Sequence, residues 1–332
     1  MNRAIAVGVL SVALIVVACG GVSEGQKHYN QGVELQREGK FGEAIGEYNT
    51  AIGLDSEFAE AYVNRGIIYK NLGDLDRAMA DYKKAIELDP ELADAYVNRG
   101  NGYSVLQADD LAIADYDKAL ELDPNVGEAN YNRGRIYLNR GEYERALADC
   151  DRAIELNPSD PDAYTNRGIA HKNLGRVDEA IADYDKAIQL NPKHAKAYFN
   201  RGVDRAGIGD LEGALADFDK AIELDASDAE AYVNRAVVYL NLGQYERAIG
   251  DFDKLIDLSP SDAGVYVLRS AACELAGDAE QAATDFEKAL SLSDSNSRVQ
   301  MAGTLEQRWL PTVTHPDVKA ALKEIVTRLR DE

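Results

Sequence analysis

The stretch AYVNRG at residues 95–100 decides the fold, because close copies of it recur along the chain. The copies lie 34 residues apart, or at multiples of 34, at 61–66, 163–168, 197–202 and 231–236. A register that starts at Gly25 divides residues 25–296 into eight consecutive units of 34 residues without an insertion or deletion. A fixed period of this length indicates one supersecondary unit that is repeated, with a core shared between neighbouring units.

Small residues recur at fixed positions within each unit and predict a helical hairpin. Position 20 is alanine in all eight units and position 8 is glycine in six, so two helices are able to approach closely there. Position 15 is glycine in seven units, where a left-handed residue would end the first helix. The pattern therefore predicts two antiparallel helices per unit.

This period and pattern resemble the tetratricopeptide repeat, or TPR. The resemblance implies an all-α fold, a right-handed superhelical solenoid of eight helix-turn-helix repeats over residues 25–296. It also implies that the first helix of each repeat lines a concave groove, with positions 2, 5, 6, 9, 12 and 13 facing the groove. Function is therefore expected to lie on those first helices.

Residues 297–332 are not a ninth copy, and they are predicted to form a C-terminal cap. Five apolar residues form one stripe on a predicted helix over 316–330, namely Val318, Leu322, Ile325, Val326 and Leu329. A repeat stack needs its last apolar face covered, so this helix is expected to close the stack, with 298–310 packed beneath it. A docking helix for a partner is the alternative.

Residues 1–18 have the form of an export signal, with a basic start and a long apolar run. The residues VVAC at 16–19 resemble a bacterial lipobox, in which the cysteine is diacylated and becomes the new N-terminus after cleavage. The resemblance implies a signal peptide at 1–18, a lipidated tether at 19–24 and a palmitate-type anchor on Cys19. The rest of the chain would then lie outside the cytoplasm, at the cell membrane or outer membrane. The alternative is that 4–18 stays as an uncleaved anchor.

Composition excludes several classes of function. Among 332 residues, 36 Lys and Arg face 58 Asp and Glu, which gives a net charge of −22 and argues against nucleic acid as a partner. Three cysteines cannot form a disulfide framework, and four scattered histidines offer little for a metal site. Cys150 and Cys273 fall at core positions. No phosphate loop, HExxH or nucleophile elbow is present. We therefore expect no enzymatic activity, no cofactor and no metal.

Arginine and aspartate recur together at positions 7 and 23. Position 7 is arginine in seven units, namely Arg65, Arg99, Arg133, Arg167, Arg201, Arg235 and Arg269. Position 23 is aspartate in the same seven units, and in the first unit both change together, to Gln31 and Glu47. This joint change predicts an ion pair inside each repeat. The alternative is a cationic row that binds acidic ligands.

Position 6 is asparagine in seven successive units. These residues are Asn30, Asn64, Asn98, Asn132, Asn166, Asn200 and Asn234, and only Leu268 in the last unit breaks the row. Asparagine is a mediocre helix former, so the row needs another cause. A carboxamide both donates and accepts, which suits it to hold peptide main chain. The row resembles the asparagine ladder of O-linked glycosyltransferase repeat domains, which implies a peptide site. The alternative is that each asparagine bonds the neighbouring repeat.

The neighbouring positions give this predicted groove its character. Position 2 is acidic in most units, as in Glu60, Asp94, Glu128 and Asp162. Position 5 is apolar or aromatic and includes Tyr131 and Phe199. Apolar and amide groups beside an acidic rim favour an extended peptide that is neutral or basic.

The favoured interpretation is a non-catalytic, membrane-anchored TPR lipoprotein that works as a protein-binding scaffold. It would bind extended segments of envelope proteins in outer-membrane assembly, secretion, pilus formation or recruitment of cell-wall enzymes. The alternatives are a self-assembling structural solenoid and an accessory subunit of an enzyme.

Overall fold

A computed structural model describes residues 22–331, and every regular element in that range is helical. The chain divides into two compact units at Val126 and Gly127. The first unit holds α1 Glu24–Arg37, α2 Phe41–Leu54, α3 Ala59–Asn71, α4 Leu75–Leu88, α5 Ala93–Val105 and α6 Asp109–Leu122. Successive helices in it pack as antiparallel pairs, one pair per 34-residue repeat.

The second unit holds five repeats and the C-terminal segment. Its helices are α7 Gly127–Asn139, α8 Tyr143–Leu156, α9 Pro161–Asn173, α10 Val177–Leu190, α11 Ala195–Gly207, α12 Leu211–Leu224, α13 Ala229–Asn241, α14 Tyr245–Leu258, α15 Ala263–Ala276, α16 Ala279–Ser291, α17 Ser295–Thr304 and α18 Pro316–Asp331. A π-helical turn, Leu305–Trp309, follows α17. The predicted all-α repeat fold with a C-terminal capping helix is confirmed.

Close approach of the paired helices depends on glycine at position 8. A Cβ atom on Gly66 would come within 2.6 Å of the Tyr82 ring, which fills the space between α3 and α4. The alanines at position 20 are at most 7% exposed in all eight repeats. The turn after the first helix uses a left-handed residue, which is glycine everywhere except at Gln107 in the third repeat, with φ of 57°.

The C-terminal segment covers the last repeat. The apolar stripe of α18 is 0–4% exposed and packs on α15 and α17. Between α17 and α18, residues 305–315 form the segment that we call the strap. Leu305, Trp309 and Leu310 of the strap are buried, as predicted from their apolar character.

The predicted signal peptide and Cys19 lie outside the described residues. Within residues 22–331, no helix combines the length and the apolar character needed to span a membrane.

Candidate peptide-binding groove

Each first helix presents one face that its paired helix leaves uncovered. On α3 this face carries Glu60, Asn64, Ile67 and Asn71, whose spacing of four, three and four residues places them on one side of the helix. Glu60 and Asn71 are exposed, and Asn64 and Ile67 are half-buried. We call positions 2, 6, 9 and 13 of each first helix its ladder face.

The predicted asparagine row lies on this face. Asn98, Asn200 and Asn234 each donate from Nδ2 to the main-chain oxygen four residues earlier, at 2.8 Å. Asn30 is exposed and accepts a hydrogen bond from the preceding helical turn, and Asn132 is half-buried on α7. A bond to its own helix uses one N–H of a carboxamide and leaves the oxygen available for a further partner.

Two asparagines turn toward the preceding repeat. Asn64 Nδ2 donates to the hydroxyl of Tyr29 at 2.8 Å, which links α3 to α1. Asn166 is 3% exposed, and its amide nitrogen has no hydrogen-bond partner within 22–331. Burial raises the pKa of Tyr131, and the nearby Asn166 opposes that rise without reaching hydrogen-bond geometry. At position 6, Asn64 therefore links two repeats, whereas the amides of Asn98, Asn200 and Asn234 are half-buried at the surface.

The acidic and aromatic neighbours lie where a ligand could reach them. The position 2 acids are all exposed in the first turn of their helices, namely Glu60, Asp94, Glu128, Asp162 and Glu230. A carboxylate in the first turn also stabilises its helix through the helix dipole, so these residues have a structural role as well. Tyr131 and Phe199 are half-buried, and the ring of Phe199 lies 6.1 Å from that of Phe218 in the same repeat.

The surface of the second unit forms an open depression around two of the predicted residues. Its lining consists of Ala195, Lys196, Phe199, Asn200, Asp225, Asp228 and Glu230. Hydrogen bonds from Ser227 lower the pKa of Asp225 and favour its charged form. Because three carboxylates surround one ammonium group, the depression carries net negative charge. Together with the Phe199 ring, it suits a neutral or basic peptide.

On α13 the strap packs against the ladder face at Val237 and Asn241, while Glu230 in the first turn stays exposed. Trp309, Leu310 and Val313 of the strap are 9%, 9% and 1% exposed, and they share a hydrophobic cluster with Val237 and Leu240 of α13. Val237 and Leu240 occupy positions 9 and 12, which stay partly exposed on α9 and α11. The chain therefore places its own segment where the sequence predicts a ligand.

Asn241, at position 13, holds the main chain of the strap. Its Nδ2 donates to the carbonyl of Thr312 at 3.1 Å, and its Oδ1 accepts from the amide of Thr314 at 2.7 Å. At the other end of α13, a guanidinium nitrogen of Arg308 lies 3.4 Å from a carboxylate oxygen of Glu230. The strap thus runs along α13 from its first turn to its last, held by a charge pair at one end and an amide at the other.

The break in the asparagine row has a structural reason. Leu268 is 6% exposed and lies in the same cluster as the strap and α18. A carboxamide at this position would be buried under apolar side chains, which is costly without a hydrogen-bond partner. The row therefore ends where the chain covers its own ladder face.

The predicted ion pair inside each repeat is confirmed. In all seven repeats the arginine Nε donates to Oδ2 of the aspartate at 2.8–3.0 Å, and Nη2 donates to Oδ1 at 2.5–2.7 Å. The aspartates are 2–6% exposed. The guanidinium groups are therefore not a free cationic row.

A further contact of the same arginines was not predicted. In Arg65, Arg167, Arg201, Arg235 and Arg269 the remaining Nη1 donates to the residue at position 25 of the preceding repeat, as from Arg65 to Asn49 at 2.6 Å. In the second unit it reaches an aspartate, as from Arg235 to Asp219 at 2.6 Å. Each such guanidinium clamps two repeats together. Positions 7 and 25 both recur in the sequence, but only the structure shows that they meet.

The cysteines and histidines have structural surroundings. Cys150 and Cys273 are buried and unpaired, and burial raises their pKa values to about 12 and about 11, which disfavours the reactive thiolate. His28 Nδ1 lies 2.6 Å from Glu47, which takes the place of the aspartate in the first repeat. His194 lies 2.9 Å from the Thr165 hydroxyl.

Sequence reasoning placed position 13 in the groove but assigned no contact to the asparagines there. Asparagine recurs there near the end of four first helices, as Asn71, Asn139, Asn173 and Asn241. That recurrence was the available signal, but the contact partner of Asn241 comes from 71 residues further along the chain.

Stacked helical hairpins with one uncovered face define this chain as a helical-repeat protein. Sequence profiles described as tetratricopeptide repeat match residues 59–92, 93–126, 115–148 and 134–192, as well as 165–229, 202–263 and 233–297. A further TPR profile matches 32–73. The chain therefore belongs to the tetratricopeptide repeat family, whose repeats are generally non-catalytic scaffolds for protein–protein interaction.

Solved structures of similar fold include other TPR proteins. YrrB, described as a TPR protein with an unusual peptide-binding site, is 33% identical, with 55% of this chain and 95% of YrrB covered and a TM-score of 0.49. PilF of Pseudomonas aeruginosa is 20% identical, covers 61% of this chain and 92% of its own, and has a TM-score of 0.55. A TPR protein of Parabacteroides merdae is 22% identical over 80% of this chain and 98% of its own, with a TM-score of 0.53. A comparison with curated proteins gives no match.

Proposed function

We propose that this protein is a non-catalytic scaffold that holds extended segments of envelope proteins against the ladder faces of its first helices. The observation that carries this proposal is the strap, a polypeptide segment bound along the ladder face of α13 by Glu230, Asn241 and the apolar residues between them. A face of the same composition stays uncovered on other first helices, and it is available for a segment from another protein.

The electrostatics of the open faces favour a neutral or basic ligand. The exposed acids at position 2 attract cations and repel acidic segments. The arginines at position 7 are consumed by buried aspartates, so no free cationic row offsets those acids. A basic or uncharged peptide with apolar side chains is the ligand class that fits.

Membrane attachment through Cys19 is part of the proposal, and it is supported by the sequence around that residue. Replacing Cys19→Ser should prevent acylation and release the protein from the membrane fraction, because the acyl chains on Cys19 are the proposed anchor. Fractionation and detergent phase partitioning measure this. Unchanged membrane association of the serine variant would favour an uncleaved anchor at 4–18 instead.

Site-specific photo-crosslinking tests peptide binding directly. A photoreactive residue at Lys196, in the depression, should capture partner segments in intact cells, whereas one at Lys254, exposed on the second helix α14, should not. Equal capture at both positions would contradict the proposed site.

Binding constants then test the roles of the predicted residues. A captured segment, made as a synthetic peptide, should lose about tenfold in affinity with Phe199→Ala, which removes apolar contact worth about 1.4 kcal/mol, and about threefold with Asn200→Ala, which removes a hydrogen bond worth about 0.7 kcal/mol. Asn166 is left intact, since it is buried and its loss would test stability. Peptide affinity that both substitutions leave unchanged would remove α11 from the site.

A further inference from the structure

Two first helices are nearly the same in sequence but differ in whether their ladder face is covered. The helices α3, AEAYVNRGIIYKN, and α13, AEAYVNRAVVYLN, differ at four of 13 positions. Their ladder faces match residue by residue: Glu60, Asn64, Ile67 and Asn71 on α3, and Glu230, Asn234, Val237 and Asn241 on α13. The strap packs against α13, where Val237 is 7% exposed, whereas on α3 the corresponding Ile67 is half-buried and Asn71 is exposed. The covered helix therefore shows what kind of segment such a face holds.

We propose that the ladder face of α3 binds a segment of a partner protein that has the chemistry of the strap. That segment carries an arginine followed directly by an aromatic and an aliphatic residue, at the end of a short helical turn as in the strap. Glu60 pairs with the arginine, as Glu230 does with Arg308. Asn71 holds the main chain, as Asn241 does. The inference rests on the proposed function, because it names the ligand of one ladder face.

The surroundings of α3 select a peptide segment and not a capping helix. The helix α18 packs on α15, where position 6 is the buried Leu268. On α5, which follows α3 in the same way, this position is Asn98, whose amide is already bonded to its own helix. The apolar platform that α18 needs is therefore lacking beside α3, while the face along α3 itself remains.

Position 12 sets the strength of binding. On α13 it is Leu240, which is 1% exposed under the strap, and on α3 it is Lys70. A lysine stem covers less apolar surface than a leucine in the same place. The strap also benefits from being tethered to the same chain, which a partner segment does not. Binding at α3 is therefore weaker than closure of the strap, and it is reversible.

A labelled peptide with the sequence of residues 305–315 is the probe, and the full chain is the protein. The chain's own strap keeps α13 occupied, so binding reports on other faces. Asn71→Ala should weaken binding about tenfold, because two main-chain hydrogen bonds are lost. Lys70→Leu should tighten it several-fold, because it restores the contact of Leu240. Glu91→Lys, in the exposed turn before α5, is the matched control for a charge change and should have little effect.

A charge swap assigns the arginine to its partner. Glu60→Lys should weaken the wild-type probe about fivefold, and a probe with Arg308→Glu should likewise bind wild-type protein about fivefold less well. The variant protein with the variant probe should recover most of the lost affinity, since the ion pair is restored with its sign reversed.

The outcomes separate this inference from the proposed function. The α3 site is wrong if probe affinity is unchanged by Asn71→Ala and Glu60→Lys but falls with Phe199→Ala. The scaffold role would still hold in that case. The α3 site is also wrong, and the scaffold role still holds, if the probe does not bind while partner segments are captured at Lys196. Concentration-dependent dimers that Glu60→Lys dissolves would mean that a second copy's strap, not a partner protein, occupies α3. Absence of both probe binding and captured segments would defeat both proposals.

Discussion

Helices α9 and α13 carry the same kinds of residue along one face, yet only one of them is covered. Their ladder faces carry Asp162, Asn166, Ile169 and Asn173 on α9, and Glu230, Asn234, Val237 and Asn241 on α13. Asn173 donates to its own helix at 2.8 Å, whereas Asn241 holds the strap. The difference teaches that the ladder face does not specify its occupant alone.

The strongest way to break this comparison is to remove the cover. Trp309→Ala should cost about 4 kcal/mol of local stability, because a large side chain that is 9% exposed leaves a cavity over α13. Amide hydrogen exchange along α13 should then approach the rates of α9. Val299→Ala, at a residue 58% exposed, is the control. If amide exchange along α13 is equally slow in both variants, the strap does not stabilise that face.

The clamp arginines should contribute equally in both regions. Arg167→Met in the α9 repeat and Arg235→Met in the α13 repeat should each cost about 3 kcal/mol of unfolding free energy, because Asp183 and Asp251 stay buried without their partner. Urea denaturation measures this.

The double change Arg235→Met with Asp251→Leu is the control for that loss. It removes both charges and should recover most of the stability. A loss of unfolding free energy in only one of the two arginine variants would show that the clamp is not a common feature of the stack.

The amides at position 13 give the sharpest matched pair. Asn241→Ala should cost about 2 kcal/mol, because two hydrogen bonds to the strap are lost, and exchange of the Thr314 amide should rise by more than tenfold. Asn173→Ala, at an exposed residue in the same position of α9, should change stability by less than about 0.5 kcal/mol. Equal effects would mean that Asn241 acts within its own helix and not through the strap.

A smaller effect concerns a buried charge in the open region. Asp204 on α11 is 4% exposed, and the corresponding residue on α13 is Val238. Burial raises the pKa of Asp204, while Lys172, 3.2 Å away, opposes the rise. Asp204→Val should therefore stabilise the protein by about 1 kcal/mol at neutral pH, where the cost of burying the carboxylate is fully present.

The sign of the pH dependence follows from the raised pKa. As the pH falls through the folded pKa toward 3.8, the native state takes up a proton at Asp204 before the unfolded state does, so the wild type gains stability relative to the variant. Thermal unfolding of both proteins between pH 7 and pH 4 measures the difference. If the stability difference between the variant and the wild type grows as the pH falls, the ion pair with Lys172 outweighs the effect of burial on Asp204.

The repeat period allowed most of the fold to be predicted. Glycine, alanine and aromatic residues at fixed positions specify how two helices pack, and that information is local to 34 residues. The Arg–Asp pair was predictable for the same reason, since Gln31 and Glu47 change together within one repeat. The contact of Asn241 with Thr312 was not, because no periodic pattern connects a repeat with a segment outside the repeats. The groove residues stay a prediction, with Phe199 and Asn200 lying in an open depression.

The guanidinium clamps have a mechanical consequence for the second unit. Arg167, Arg201, Arg235 and Arg269 each bond an aspartate of the preceding repeat as well as their own. A repeat that frays from the C-terminal end must break its clamp to the neighbour, and in doing so it leaves unpaired the half-exposed carboxylate that the clamp had neutralised. Stretching this unit by its ends should accordingly release repeats in discrete steps, with a force barrier before each one and no gradual uncoiling.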